Sequence, residues 1–260
     1  MKIVCLLENT SRTAEIGSEH GLSLYIDALG KKILFDFGAS DKFYQNAKVL
    51  GVDLSAVDIA VLSHGHNDHG GGLATFLEVN SHAPIYVSNG AFAPHYNAKG
   101  DYIGLDQALK NSPRLKFVSN ITEIDKGITL FPFLTKDLIK PISPWGLTEL
   151  VDGTLIPEEF RHEQYLQIEE NGKTVLFSGC SHRDILNIVH SFEPTYLIGG
   201  FHISKMNDLD PLLKLGRELN KCKTSFYTCH CTGLKQYEAL KEHSQKLLYL
   251  AAGDEITILS

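Results

Sequence analysis

Ser63-His64-Gly65-His66-Asn67-Asp68-His69-Gly70-Gly71-Gly72 is the stretch on which the reading of this chain turns. Three histidines and one aspartate fall between positions 64 and 69. Upstream, Val57-Asp58-Ile59-Ala60-Val61-Leu62 is short, apolar and β-branched, the pattern of a buried strand. Downstream, three glycines lead into Leu73-Ala74-Thr75-Phe76-Leu77-Glu78, a helical pattern. The histidines therefore fall on a loop at the carboxyl end of a strand, where open α/β sheets place their ligands. Imidazole suits zinc, iron, copper and nickel, and a carboxylate adds a hard anionic donor. On a tight loop His64 and His66 point the same way, as alternate residues do. Asp68 and His69 lie just beyond and can turn toward a second point. One such loop can supply two ligands to each of two adjacent ions.

Outward from this loop the chain alternates strands and helices. Residues 2–7 read as a first strand, and 22–27 with 31–36 as a hairpin about Leu29-Gly30. Residues 40–50 predict a helix, with Ser40 as cap and Phe43, Ala47 and Leu50 on one face. Strands follow at 84–88, 115–118 and 128–133. Pro132, Pro141, Pro144 and Pro157 then punctuate a less regular region that holds the only tryptophan, Trp145. Long irregular segments in compact domains are commonly lids or binding loops, so 134–160 reads either as a cover that selects substrate or as a passive surface excursion. Residues 165–168 and 174–177 predict a hairpin about Asn171-Gly172, a strong turn pair. Further helices are expected from Ile185, over 208–220 and over 233–246, with strands at 196–198, 225–227 and 255–259. Four strand ends thus deliver histidines: 64, 66 and 69, then 182, 202 and 230.

Strand–helix alternation places the chain in the α/β class, as layered sheets require. A length of 260 residues is ample for a core, and no linker or low-complexity tract divides it, so residues 1–260 read as one domain. Hydrophobic residues make up 43% and charged residues 21%, an ordinary globular balance. The net charge of −7 carries no basic footprint, which argues against nucleic acid as partner. No apolar run approaches the roughly 18 residues of a membrane span, and the amino-terminal run is too short for a signal peptide. Five cysteines without regular spacing argue against a disulfide framework and for a reducing cytoplasm. The expected partner is a small-molecule substrate, phosphorylated or not.

The H-x-H-x-D-H pattern after an apolar strand resembles the signature of the metallo-β-lactamase-fold superfamily. Glu19-His20-Gly21-Leu22-Ser23, Leu34-Phe35-Asp36-Phe37-Gly38, Ser178-Gly179-Cys180-Ser181-His182, Gly199-Gly200-Phe201-His202 and Cys229-His230-Cys231-Thr232-Gly233 are similar, in order, to a subgroup of metal-dependent hydrolases within it. That subgroup carries the label 7,8-dihydropterin-6-yl-methyl-4-(β-D-ribofuranosyl)aminobenzene 5′-phosphate synthase-like. The resemblance implies an αββα sandwich with the site where the two sheet edges meet. It implies His64, His66 and His182 as ligands of one divalent ion, and Asp68, His69 and His230 as ligands of a second. Zinc is the first choice of metal, with iron or manganese as alternatives and one or two ions bound.

Several positions stay open at this level. Asp36 is either a support that hydrogen-bonds the metal loop or a turn residue. His20 either edges the site or is structural. Many superfamily members have a bridging aspartate where this chain has Cys180. Its thiolate either binds metal, favouring softer ions, or is a buried inert thiol. His162 competes with His182 for the third position on the first ion. The C-x-C spacing of Cys229 and Cys231 is too tight for a structural zinc site, so these thiols are expected to pack about the strand end that presents His230. His202 reads as a general acid or electrostatic stabiliser, or as a structural histidine. The resulting expectation is metal-assisted hydrolysis of a phosphoester, lactone or thioester, with Asp68 orienting the attacking water. The alternatives are the joining reaction of the subgroup's label and a sensor that binds without turnover.

Overall fold

A computed structural model of the chain describes residues 1–132 and 138–258. Among the described residues the strands form two large sheets and one small one. The first sheet runs β17 (Glu255–Thr257), β1 (Lys2–Leu7), β2 (Ser23–Ala28), β3 (Lys31–Phe35), β4 (Ile59–Val61), β5 (Ile85–Ser88) and β7 (Leu115–Val118). The second runs β16 (Leu247–Tyr249), β15 (Ser225–Thr228), β14 (Tyr196–Gly199), β13 (Lys173–Phe177), β12 (Gln164–Glu170), β9 (Ile128–Pro132) and β8 (Thr122–Asp125). The small sheet is β11 (Thr154–Pro157), β10 (Thr148–Val151) and β6 (His95–Tyr96). Helices are α1 (Lys42–Val49), the single turn α2 (Asn67–Gly70), α3 (Leu73–Val79), α4 (Ile185–Phe192), α5 (Leu209–Lys221) and α6 (Leu234–Lys241).

The layering follows from how each strand divides its side chains. Ile3 and Cys5 of β1 join a core with Val175, Phe177 and Ile198 of the second sheet, whereas Val4 and Leu6 join Phe43, Leu73 and Phe76 from α1 and α3. Likewise Leu176 and Leu197 face Ile188, Leu212 and Leu240 of α4, α5 and α6. Both faces of each sheet are therefore buried, the condition that makes central strands read as near-continuous apolar runs. The result is the α/β, αββα sandwich that the sequence led us to expect.

In each large sheet an antiparallel hairpin is followed by parallel strands. β2 and β3 turn at Leu29 and Gly30 (φ 54° and 74°), and β12 and β13 at Asn171 and Gly172 (φ 53° and 71°). Two successive positive φ angles match the right-handed twist of a hairpin, which is why the glycine stands second in both. β3–β4–β5–β7 and β13–β14–β15–β16 are then parallel. Their carboxyl ends within each sheet lie on one edge.

Some local expectations differ. Ser40 does not cap α1; Asp41 holds that place without a side-chain bond, and the Ser40 hydroxyl is engaged by the Glu19 carboxylate at 2.8 Å. α6 stops at Lys241 because residues 247–249 form the edge strand β16. Residues 134–137 of the expected lid lie outside the described residues, as do 259 and 260. The rest of that span is more regular than expected: 148–157 form the β10–β11 hairpin. Residue 140 is tied to α4 by two bonds with Asn187, both 2.9 Å.

Candidate metal centre

The loop after β4 is seated by close backbone approach. A Cβ on Gly71 would stand 2.3 Å from the Ala39 carbonyl oxygen, and one on Gly72 2.2 Å from that of Phe37. Only glycine lets the loop lie flush against the chain leaving β3. Asp36 ends that chain, is fully buried and has φ 63°. Its carboxylate accepts from Ser63 N (2.6 Å), Ser63 Oγ (2.7 Å) and His69 Nδ1 (2.6 Å). Ser181, His202 and His230, beyond the ends of β13, β14 and β15, also have positive φ (54°, 52° and 49°). Such backbone strain in non-glycine residues gathers at sites whose surroundings hold it in place.

The side chains these turns deliver form two histidine-rich groups, beside a third of Cys180, His202 and Cys231. His64, His66 and His182 make the first, with Nε2 of His64 and of His182 3.3 Å apart. Asp68, His69, Cys180 and His230 make the second. Nε2 of His69 lies 3.1 Å from Cys180 Sγ and 3.2 Å from Nε2 of His230, which is 3.3 Å from Asp68 Oδ2. The tautomers decide what these contacts mean. His69 Nδ1 donates to Asp36, and His230 Nδ1 donates to Asn9 Oδ1 at 2.7 Å. Ser63 Oγ spends its proton on Asp36 and so accepts from His64 Nδ1 at 2.8 Å. In the neutral rings, Nε2 of all three carries a bare lone pair directed into the site. Lone pairs held 3.2 Å apart repel unless a cation lies between them. The donor set fits borderline divalent ions, and the partners at Nδ1 are those that ligating histidines usually have.

Protonation agrees. Burial, reinforced by neighbouring imidazoles, holds His64 and His182 well below the ordinary histidine value, so both are neutral. Burial opposes ionisation of Asp68, but the His69 charge and a hydrogen bond from His20 keep it a carboxylate far below its usual range. Burial also opposes charge on His69, yet Asp36 and Asp68 push its pKa up to about 9. Without a metal, a proton there stands in for the cation.

The surrounding residues fix these ligands. Glu8, fully buried, accepts from His230 N at 3.0 Å and from the Tyr249 hydroxyl. Glu163, also buried, accepts from His182 N (2.7 Å), Arg183 N (3.2 Å) and the Tyr165 hydroxyl (2.6 Å). An alanine at Glu163 orphans three donors, and we expect a stability loss of about 2–4 kcal/mol. The His64/His66/His182 group should loosen first, so that dialysis removes about one equivalent of metal while the second is retained. Equal loss from both groups, read by elemental analysis, would count against this role.

His20 edges the site: its Nε2 lies 3.2 Å from Asp68 Oδ2. His162 does not join either group. Its Nδ1 accepts from Gly65 N at 2.9 Å, and its Nε2 faces Glu158. Cys229 lies in the inter-sheet core, and Cys231 Sγ accepts from His202 N at 3.2 Å. His202 stands with its ring 4.2 Å from that of His182 and 6.1 Å from that of Trp145. Its Nδ1 is buried without a hydrogen-bond partner. These rings line a cavity of about 540 Å³ that Lys140, Ser181 and Lys214 also reach. The sequence reading passed over Glu8, His95, Glu158 and Glu163. Each is joined to the site only through the fold, and no local spacing marks them.

Comparison with known proteins follows the same lines. The model of the Metallo-beta-lactamase superfamily matches residues 17–221. The solved structure of Tm1679, described as a metal-dependent hydrolase of the beta-lactamase superfamily, superposes with a TM-score of 0.84 at 30% identity, covering 99% of both chains. Two relatives come from Methanocaldococcus jannaschii. One is named 7,8-dihydropterin-6-methyl-4-(beta-D-ribofuranosyl)-aminobenzene-5′-phosphate synthase and is 28% identical over 279 residues, covering 95% of this chain and 94% of its own. The other, an uncharacterised protein, is 27% identical over 252 residues, covering 92% and 94%.

Proposed function

Because the chain belongs to the metallo-beta-lactamase superfamily, we propose that it is a metal-dependent hydrolase acting on a small ester-type substrate, a phosphoester, lactone or thioester. The observation that carries this reading is the pair of facing ligand groups whose Nε2 lone pairs are pinned by bonds at Nδ1. His64, His66 and His182 would hold one divalent ion, and Asp68, His69, His230 and Cys180 a second. Imidazole and thiolate favour zinc, with iron or manganese next. Ions held there supply Lewis acidity, drawing a proton from water near neutral pH and polarising the attacked carbonyl or phosphoryl group.

The chain's own residues do the rest. Asp68, kept ionised and hydrogen-bonded to His20, orients the attacking water. His182 and His202 form the wall between the ligand groups and the cavity, so a substrate there meets the ion side by way of His202. With its Nδ1 unpartnered, His202 can give a proton to the leaving group. Trp145 offers a ring face, and Lys140 and Lys214 offer cations to an anionic substituent. The free thiols fit a reducing cytoplasm. Among the described residues no helix is long and apolar enough to cross a membrane.

A panel of phosphoesters, lactones and thioesters, assayed against metal content, tests the proposal. Activity should scale with bound metal, and His202→Ala should keep its metal while losing about 100-fold in kcat. A fully active His202→Ala protein would remove His202 from the mechanism. Metal uptake by wild type that brings turnover of no ester would sink the hydrolase reading. The synthase name of one relative favours a second reading, in which the same centre joins two molecules. Labelled water separates the two: hydrolysis places one solvent oxygen in each product pair, and joining places none.

A further inference from the structure

The Nε2 of His66 meets a second cluster beside the first ligand group. His95, Glu158 and His162 close this cluster, and each is at least 98% buried. Nε2 of His66 lies 3.1 and 3.2 Å from the two oxygens of Glu158. His95 Nδ1 is 2.5 Å from Oε1 of the same carboxylate, and His162 Nε2 is 3.7 Å from Oε2. One donor atom from each of the four residues falls within 4.8 Å of the others, a spacing that would admit a metal ion.

Proton placement argues for a different role. His162 Nδ1 accepts the Gly65 N–H, so in the neutral ring Nε2 carries the proton and has no lone pair for an ion. The Glu158 carboxylate, with three imidazoles around it, is then placed to accept from His66 Nε2–H. If His66 Nε2–H donates a hydrogen bond to Glu158, the nitrogen without a proton is Nδ1. Nδ1 is then the atom of His66 open to His64 and His182.

We propose that Glu158 is a positioning residue, which rests on the metal-centre reading above. By accepting a hydrogen bond from His66 Nε2–H, it fixes the tautomer that presents Nδ1 as a ligand, with the rings of His95 and His162 packed beside it. The roles of Glu158 and Asp36 are parallel: each carboxylate orients one histidine of the loop, Asp36 through His69 and Glu158 through His66. Such outer partners raise ligand basicity and lock ring orientation. The fold brings them from opposite sides. Asp36 leaves β3 of the first sheet, whereas Glu158 follows β11, and His95 lies in β6 of the same small sheet. Glu158 N donates to Leu147 O at 3.1 Å, which ties this carboxylate to the segment carrying Trp145. That small sheet, which had no place in the sequence reading, thus supports a ligand.

The test uses zinc-loaded full-length protein with nitrogen-15-labelled histidine. Ring spectra of wild type should show a protonated Nε2 on His66 and a zinc shift on its Nδ1. In Glu158→Ala that protonated Nε2 signal should be lost, with zinc affinity of the first group down about 10–100-fold and the second group unchanged. Glu158→Gln keeps one acceptor oxygen and should recover most of the affinity. A zinc shift on Nε2 of His66 in wild type overturns the proposal even if no variant folds. So does equal weakening of both groups in Glu158→Ala. Wild type that takes up no zinc refutes the metal centre instead, so the two failures are told apart.

Discussion

An Asp36→Ala protein is expected to lose both stability and metal, with the second ion leaving first. Asp36 is the acceptor for three buried donors: Ser63 N, Ser63 Oγ and His69 Nδ1. Deleting it leaves Ser63 N and His69 Nδ1 without that acceptor in a buried site and forces Ser63 Oγ to turn. Each orphaned buried donor costs about 1–3 kcal/mol, so a total of roughly 3–5 kcal/mol is expected. In a domain of this size that lowers Tm by roughly 10 °C. The damage to function is more specific. Without Asp36 the Ser63 hydroxyl no longer has to give its proton away, so it can donate to His64 Nδ1, and His69 is free to turn. Zinc affinity of the Asp68/His69/Cys180/His230 group should fall about 10–100-fold. Chelator competition followed by elemental analysis measures it. A variant that melts early but keeps both ions at wild-type affinity would show that Asp36 serves the fold alone.

Stripping the metal should narrow the pH range over which the protein is stable, and from both sides. His69 has a folded pKa of about 9 against an ordinary 6.5, because Asp36 and Asp68 outweigh its burial. A raised histidine pKa stabilises fully below 6.5 and loses that contribution as pH climbs to about 9. The difference corresponds to roughly 3 kcal/mol. When an ion takes the place of the proton the term vanishes, so metal-loaded protein should keep its Tm from pH 6.5 to 9 while chelated protein loses it. On the acid side the sign reverses. Burial holds His162 at about 3. A depressed pKa costs stability as pH falls below 6.5, about 2 kcal/mol by pH 5 from His162, a cost that loaded and chelated protein share because His162 is not a ligand. His64 and His182 are depressed too and add in the same direction when no ion holds them. Chelated protein should therefore approach unfolding near pH 5, since total stabilities are only about 5–15 kcal/mol. Melting curves with and without chelator across pH 5–9 check both limbs. An alkaline limb that persists unchanged in metal-loaded protein would mean that His69 is not a ligand.

Much of this molecule was legible in the sequence, and the reason is local. Central strands such as β1, β4 and β13 are buried on both faces and so stand out as unbroken apolar runs. Asn171-Gly172 marks its hairpin because only certain residues tolerate two positive φ angles. His64, His66, Asp68 and His69 are neighbours in the chain, so their spacing alone shows that they can converge. His182, His202 and His230 each follow a strand, and parallel strands bring their ends to one edge.

The rest depended on packing between distant segments. β11 is exposed along its whole length and β10 is half-buried or exposed, so no alternation of apolar residues announces either. The edge strands β8 and β16 are similarly faint. Glu158 meets His66 across 92 residues of chain, and Glu8 meets His230 across 222. No spacing rule spans such distances, because the partners converge only when two sheets pack face to face. From the sequence, His64, His66, Asp68, His69, His182 and His230 could be named as candidate ligands, while Cys180 and His162 stayed open. Which nitrogen of each imidazole is bare is decided by carboxylates and amides that the fold supplies from elsewhere, because a ring's tautomer is set by the hydrogen bond at its other nitrogen.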